Sequence, residues 1–252
     1  MRTTLCRPLM ELEYGEEELE QRRAELIKQF SETSQNWDGE RFKRLSTEDL
    51  KLLLDLYIEQ FFGKRWDEEI GDRLTFSLST RMTKSAGKTI IKRSRPDLAP
   101  PQMRFEIRIG VSFLFQFDEV ERSKLVCGLS APNALWALLF VLEHELCHVI
   151  EAAYYGKSNC SKERFKGLAR RLFGHGSSYH ELPTAREIAY QKGLRVGDEV
   201  TFHHQGRMKK GMIAAINKRA TVMVPAKDGP YMDKKGTRYD KYYVSLSSLT
   251  AL

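Results

Sequence analysis

A long apolar segment that runs into two histidines is the feature that most constrains the fold of this chain. Residues 131–142 are mostly apolar, and His144 and His148 follow at once. Ser130 can cap a helix, Pro132 suits its first turn, and Gly156 can end it. The pattern predicts one long, largely buried helix over 130–156, against which the rest of a globular core has to pack.

The composition fits a globular protein. The chain has 252 residues, 41% hydrophobic and 30% charged, which allows one large or two modest domains and excludes collagen-like and disordered chains. The chain has four cysteines, Cys6, Cys127, Cys147 and Cys160. They form no CxxC pair, which excludes a zinc ribbon, and they are too few for a disulfide scaffold. No signal-peptide pattern or membrane-spanning stretch is present, so we expect a reducing, cytoplasmic location and no membrane partner.

The basic charge is concentrated near the end of the sequence. The formal net charge is +7, and residues 193–252 hold 11 basic and 5 acidic residues, a net of +6. A local positive field is typical of a module that binds an acidic partner, with nucleic acid, DNA or RNA, as the leading candidate. An ordinary solvated basic surface is the alternative.

Further helices and a small sheet are predicted before the long helix. Good helix formers over 10–33 predict a solvated amphipathic helix, and Ser46 begins a leucine-rich helix that ends at Gly63. Alternating residues predict a small antiparallel sheet with strands at 74–82, 89–91 and 104–110. A loop is predicted at Pro96, Pro100 and Pro101.

After the long helix the pattern changes from helices to short strands. A helix is predicted over 161–173 and a short one from residue 183. Beyond Gly193, closely spaced short strands and turns predict a small closed barrel. We therefore expect an α+β fold with three regions: a helical extension over 1–45, a central domain over 46–192 and a basic all-β barrel over 193–252.

The two histidines belong to an HExxH motif, His144-Glu145-Leu146-Cys147-His148. Their i, i+4 spacing places both imidazoles on one helix face, where they can hold one metal ion. Glu145 lies beside them and can take a proton from a water on that ion. The motif is typical of zinc peptidases. Two histidines packed on a helix without metal are the alternative.

A catalytic Zn²⁺ of this type needs a third protein ligand, and two residues are candidates. Cys160 precedes the next helix, and a turn at Gly156 would bring it back towards the first helix. His175 lies at the far end of that helix, and histidine is the commoner third ligand in zinc peptidases. The residues alone leave both open. Cys160 as a small buried residue is a further alternative.

The segments around HELCH resemble the SprT-like (SprT/Spartan-like) zinc peptidase family over about residues 47–182. The resemblance is carried by HELCH and by residues 54–57, 61–63, 78–87 and 104–109. It implies a zincin-like domain in which His144 and His148 bind zinc and Glu145 is the catalytic base. Where the family has a ligand His in an HGxxF/W motif, this chain has residues 160–165, CSKERF. The resemblance therefore favours Cys160 as third ligand. His180 resembles a His that follows this helix in the family.

The basic C-terminal region stands where the family has a zinc ribbon. It is similar to KOW/Tudor-like barrels, which bind nucleic acid or protein tails. Its candidate phosphate contacts are Lys209, Lys210, Lys218, Arg219, Lys234 and Lys235. The sequence thus predicts a zinc-dependent protease acting on nucleic-acid-associated protein substrates. The alternatives are a non-proteolytic adaptor with a structural zinc site, and a different HExxH hydrolase with a small-molecule substrate.

Overall fold

The computed structural model of the protein describes residues 8–92 and 103–252. Cys6 and the predicted proline loop lie outside these residues. The chain divides into two compact units, one that ends at Leu182 and one that comprises Pro183–Leu252. Within the described ranges, no helix combines the length and the apolar character needed to cross a membrane.

Among the described residues, six α-helices and a small sheet build the first unit. The helices are α1 (Glu16–Thr33), α2 (Thr47–Tyr57), α3 (Lys64–Glu69), α4 (Val111–Phe115), α5 (Ala134–Tyr155) and α6 (Glu163–Phe173). The strands are β1 (Leu74–Ser79), β2 (Gly87–Lys92) and β3 (Arg104–Gly110), with a short hairpin of β4 (Leu125–Val126) and β5 (Leu129–Ser130). A π-helical turn, Ile58–Phe62, extends α2 to Gly63.

The three-stranded sheet is mixed, so the prediction of an antiparallel sheet was wrong. Its order is β1-β3-β2, with β3 parallel to β1 and antiparallel to β2. The central place goes to β3 because this strand is buried on both faces: Phe105, Ile107 and Ile109 are almost fully inaccessible, and Glu106 on the other face is also buried. β2 is left as an edge strand that packs against α5.

Helix α5 is the centre of the first unit, as the sequence predicts, but it begins later. Asn133 caps it by accepting hydrogen bonds from the amides of Leu135 and Trp136, whereas Ser130 lies in β5. Gly156 ends it in the left-handed conformation (φ 68°), where a side chain would be strained. Most of its residues are buried on every side, so α5 is a core helix.

Helix α1 is part of this core. Leu19, Leu26 and Phe30 are buried within the same cluster of apolar side chains as α5. Arg23, on the same face of α1, is also buried. α1 is thus amphipathic, as the sequence predicts, but its apolar face packs in the core, so the helix is less solvated than its many charged residues suggest.

The second unit holds α7 (Ala185–Gln191) and a six-stranded antiparallel sheet. Its strands are β6 (Glu199–His204), β7 (Arg207–Ile216), β8 (Ala220–Pro225), β9 (Tyr231–Met232), β10 (Arg238–Val244) and β11 (Thr250–Ala251). The order is β11-β6-β7-β8-β10-β9, and the sheet does not close, so the predicted barrel was wrong. Closure requires the two edge strands to pair, and β9 and β11 are two residues long and pair only inward.

Candidate metal centre

The HELCH motif lies on α5 at the wall of a cleft in the first unit. The imidazoles of His144 and His148 are on one face of the helix, with ring centroids 4.9 Å apart. Phe165 of α6 packs on both, at 4.3 Å from the ring of His148 and 5.0 Å from that of His144. The cleft has a volume of about 330 Å³, and α5, β2 and the segment around His180 line it. The fold therefore fixes both imidazoles beside a cavity.

A chain of hydrogen bonds orients His148. Its Nδ1 lies 2.7 Å from Oγ of Ser158, and that hydroxyl also bonds the buried carboxylate of Glu151. Arg164 Nε donates to the same carboxylate at 2.7 Å. If Nδ1 carries the proton of the neutral ring, Nε2 keeps its lone pair for a metal. Such outer partners are typical of metal-binding histidines.

His144 is held by a thiol. Its Nδ1 lies 3.7 Å from Sγ of Cys127, whose Sγ is also 3.8 Å from the carbonyl oxygen of Phe140. Burial, with the neighbouring histidines, lowers the pKa of His144 to about 3. Burial also lowers the pKa of His148 to about 4, although the negative charge of Glu151 acts to raise it. Both rings are therefore neutral at neutral pH, the form that binds metals.

The structure brings Cys160 to the two histidines of the motif. One ligand atom from each of His144, His148 and Cys160 lies within 4.8 Å of the others. Burial raises the pKa of the Cys160 thiol in the metal-free protein. His175, the other candidate, is not in this group. It belongs to a second, buried group with Cys127 and His144. In this group too, one ligand atom from each residue lies within 4.8 Å of the others. Both groups could hold a metal ion.

His175 is set in a buried network beneath the motif. Its Nε2 lies 2.8 Å from Oε2 of Glu143, the residue before His144. Arg23 donates to both carboxylate oxygens of Glu143, at 2.8 and 2.7 Å, and the Tyr57 hydroxyl donates at 3.0 Å. Burial raises the pKa of Glu143, but the charge of Arg23 and the bond from His175 outweigh it and hold that pKa below its usual value.

Glu145 faces the cleft from the same helix. The Thr89 hydroxyl of β2 donates to its Oε2 at 2.7 Å. A Cβ added at Gly87 would lie 2.6 Å from Glu145 Oε1, so only glycine leaves room for this carboxylate. Burial raises its pKa to about 7, although the bonds from Thr89 oppose the shift. Without metal, the carboxyl group therefore exchanges its proton near neutral pH, which suits a general base.

His180 also lines the cleft. Its Nε2 accepts a hydrogen bond of 3.1 Å from the amide of Ala86, and its ring makes an edge contact with Phe113 at 5.1 Å. Burial lowers its pKa. The bond from Ala86 places the proton of the neutral ring on Nδ1, and this nitrogen is buried without a partner among the described residues. His180 thus adds a polar group to the wall, outside both ligand groups.

The six predicted phosphate contacts divide between two ends of the C-terminal sheet. β7 begins where β8 ends and where β10 begins, so the start of β7 and the β9–β10 turn lie at one end. That end carries Lys209, Lys210, Lys234 and Lys235. The β7–β8 turn, with Lys218 and Arg219, lies at the opposite end. Lys210 pairs with Glu199 at 2.8 Å.

Sequence reasoning missed the residues that support the motif. In the sequence, Cys127 stands out only as one of four cysteines, and Arg23 only as one of many charges on an amphipathic helix. Glu143 carried a usable signal, because a carboxylate inside an apolar helix needs a buried partner. Thr89 and Ser158 carried none, since their roles depend on which elements pack together.

Comparison with models of protein families, with curated proteins and with solved structures finds no match. The candidate centre is therefore defined by its own geometry: two groups of buried or half-buried histidines and cysteines that share His144 and could hold a metal ion.

Proposed function

We propose that the first unit is a zinc-dependent peptidase of SprT-like type, with His144, His148 and Cys160 as zinc ligands and Glu145 as general base. The observation that carries the proposal is that these three ligands and a buried carboxylate of raised pKa line one cleft. One thiolate and two imidazoles form a donor set that suits Zn²⁺. Three protein ligands would leave a bound Zn²⁺ one position for water or substrate.

Zinc at this place would polarise a carbonyl group and make a nearby water acidic enough to lose its proton at neutral pH. Glu145 is the residue that takes this proton. Thr89 holds one carboxylate oxygen of Glu145, and the missing side chain at Gly87 leaves space at the other. Burial of the cleft walls strengthens these interactions, because screening by water is reduced.

A peptide is the substrate class that best fits the cleft. β2 pairs with β3 on one side, and its residues Gly87, Lys88, Thr89 and Ile91 line the cleft beside α5. An extended peptide can pair with such an edge strand through main-chain hydrogen bonds. That pairing would place a peptide bond of the substrate beside Glu145. A small-molecule substrate would not pair with the edge strand, so the strand favours a peptide.

We further propose that the basic second unit recruits the enzyme to nucleic acid, so that its substrates are nucleic-acid-associated proteins. The support is the net charge of +6 over residues 193–252 and the four lysines at one end of the sheet. Exposed Tyr231 lies on β9 beside this end and can stack on a base. Phosphate contacts are therefore assigned to the end that carries Lys209, Lys210, Lys234 and Lys235.

The test is cleavage by the zinc-loaded full chain of a basic DNA-binding protein, with and without DNA. We expect cleavage by the natural sequence and its loss in Glu145→Gln, with zinc content unchanged. Glu32→Gln, an exposed glutamate of α1, is the matched control and should cleave normally. Undiminished cleavage by Glu145→Gln would contradict the assignment of the base.

A non-proteolytic adaptor with a structural zinc site is the second candidate. The observation in its favour is the cysteine ligand, because a thiolate donates more charge to zinc and makes it a weaker Lewis acid. One equivalent of bound zinc without cleavage, in the presence of DNA, would favour the adaptor.

A further inference from the structure

Cys127, His144 and His175 form a compact group behind the cleft. Each offers one ligand atom within 4.8 Å of the others, and all three residues are buried. The measured separation of Cys127 Sγ and His144 Nδ1 is 3.7 Å. Zn–S and Zn–N bonds of about 2.3 and 2.0–2.1 Å at a tetrahedral angle require roughly 3.6 Å between sulfur and nitrogen. The pair therefore already has the spacing of two ligands on one ion.

His175 is prepared as a ligand by its surroundings. Glu143 accepts from Nε2, which places the proton of the neutral ring on that nitrogen and leaves the lone pair on Nδ1. Nδ1 is buried without a hydrogen-bond partner among the described residues. An unsatisfied buried polar atom of this kind destabilises the folded protein unless a ligand satisfies it. Carboxylate–histidine pairs with one unused nitrogen are typical of metal sites.

The loop geometry ties the thiol to His175. Cys127 has φ 55°, a strained conformation for a residue with a side chain. Its carbonyl oxygen accepts from the amides of Gly176 and Ser177, at 3.0 and 3.1 Å, directly after His175. Its own amide donates to Tyr179 at 2.7 Å. The strain thus persists because three backbone hydrogen bonds hold the turn, and the turn holds the sulfur beside His144.

Both sides of this group border a cavity. Cys127 lines the cleft of the HELCH motif. His175 lines a neighbouring cavity of about 560 Å³, which shares Cys160, Ser178 and Tyr179 with the cleft. An ion therefore has an approach to the group from either side, although the ligand atoms themselves are buried.

We propose that Cys127 Sγ, His175 Nδ1 and His144 form a second metal site, and that its occupation excludes an ion from the His144–His148–Cys160 group. A neutral imidazole has one lone pair, so His144 can serve only one ion, whichever of its nitrogens binds. On binding, the Cys127 thiol loses its proton to solvent. The donor set selects borderline or soft ions such as Zn²⁺ or Co²⁺. Only the exclusion rests on the proposed function, through the assignment of His144.

Cobalt binding to the metal-free full chain tests the site, since a cobalt–thiolate bond gives a strong near-ultraviolet absorption band. In His148→Ala/Cys160→Ser, which lacks the cleft group, we expect one Co²⁺ and a retained band. Adding Cys127→Ser should abolish the band, and adding His175→Ala should weaken cobalt binding at least tenfold. Cys147→Ser is the matched control, because Cys147 is buried in α5 but belongs to neither group.

Cys127→Gly guards against misfolding, since glycine adopts the left-handed conformation without strain and also removes the thiol. Added to His148→Ala/Cys160→Ser in place of Cys127→Ser, it should likewise abolish the band. Failure of His148→Ala/Cys160→Ser to bind cobalt, or a band that survives Cys127→Gly, would overturn the site. Two equivalents of cobalt on the natural sequence would overturn the exclusion. None of these readouts uses proteolysis, so they test the second metal site independently of the peptidase activity.

Discussion

Arg23 of α1 forms a bidentate ion pair with Glu143, the residue that immediately precedes the first histidine of the HELCH motif. Both side chains are buried, and the two bonds measure 2.8 and 2.7 Å. Arg23 also donates to the carbonyl oxygen of Phe173, at the end of α6. One side chain from α1 thus joins α5, which carries His144 and His148, to the end of α6, two residues before His175.

Removing this arginine should destabilise the whole first unit. Arg23→Ala leaves Glu143 buried with fewer partners, and we expect a loss of about 3–5 kcal/mol in the free energy of unfolding. Arg22→Ala is the neighbouring control. It loses a partly exposed ion pair with Glu18 and a cation–π contact with the Tyr14 ring at 4.6 Å, which together should contribute less than about 2 kcal/mol. Urea unfolding of both variants measures the difference, and equal losses would contradict a structural role for the Arg23–Glu143 pair.

Glu145 should make the metal-free protein less stable as the pH rises. Burial raises the pKa of this carboxyl group from an ordinary value of 4.5 to about 7 in the folded protein. Between these values the folded protein holds a proton that the unfolded chain has lost, so the free energy of unfolding falls with rising pH. Glu145→Gln removes this effect. In EDTA we expect the variant to gain roughly 1–3 kcal/mol over the natural sequence between pH 4 and pH 8.

Urea unfolding at the two pH values measures that gain, with Glu32→Gln as the exposed control. A gain of the same size at both pH values would mean that Glu145 does not titrate differently in the folded state. Zinc adds a second check. A cation nearby favours the carboxylate, so the pH-dependent part of the gain should shrink in the zinc-loaded protein.

Gly87→Ala should displace the carboxylate of Glu145. The added methyl would lie 2.6 Å from Glu145 Oε1 and 2.8 Å from Val141 Cγ1, so α5 or β2 has to shift. We expect a loss of about 1–3 kcal/mol and, if the chain is a peptidase, a lower kcat. Gly176→Ala is the control, because nothing lies within 4 Å of a Cβ there. Similar stability of the two variants would show that the Glu145 pocket has spare room.

The sequence predicts the centre of the fold better than its boundaries. The apolar run before HELCH identifies α5, and Gly156 is correctly assigned as its end. Strand pairing could not be predicted from local alternation, because β3 takes the middle of the sheet through burial on both faces. The prediction of a closed barrel was wrong for a related reason. Short strands with turns suit both a closed barrel and a curled open sheet, and the latter still lets Phe202 contact Tyr242 at 5.4 Å.

The same limit applies to the candidate centre. Spacing alone places His144 and His148 together, because i, i+4 positions share a helix face, and Glu145 directly follows His144 in the motif. Cys127 and His175 are distant in sequence from the motif and meet it only through the packing of two loops. Their approach to His144 is therefore a property of the tertiary structure, which no local pattern encodes.

Ser158 should support metal affinity through His148. Ser158→Ala removes the bond to Nδ1 and cuts the link to Glu151, so the ring loses its fixed orientation. We expect zinc affinity to fall 10- to 100-fold. Competition with a chromophoric chelator measures the change. Ser161→Ala, which removes only an exposed hydroxyl bonded to Asn159, is the control. Unchanged affinity in Ser158→Ala would mean that His148 is not a ligand or needs no such support.

Nucleic-acid binding should depend on one end of the C-terminal sheet. Lys234→Ala/Lys235→Ala removes two charges from the end that also carries Lys209 and Lys210, whereas Lys218→Ala/Arg219→Ala removes two from the opposite end. Each lost phosphate contact should reduce the slope of log K against log salt by about 1. Fluorescence anisotropy with labelled single-stranded DNA at several salt concentrations measures both slopes. We expect the first variant to lose about 1–2 units of slope and the second to match the natural sequence. Because both variants lose two positive charges, equal slope changes would show that net charge, and not this end of the sheet, controls binding.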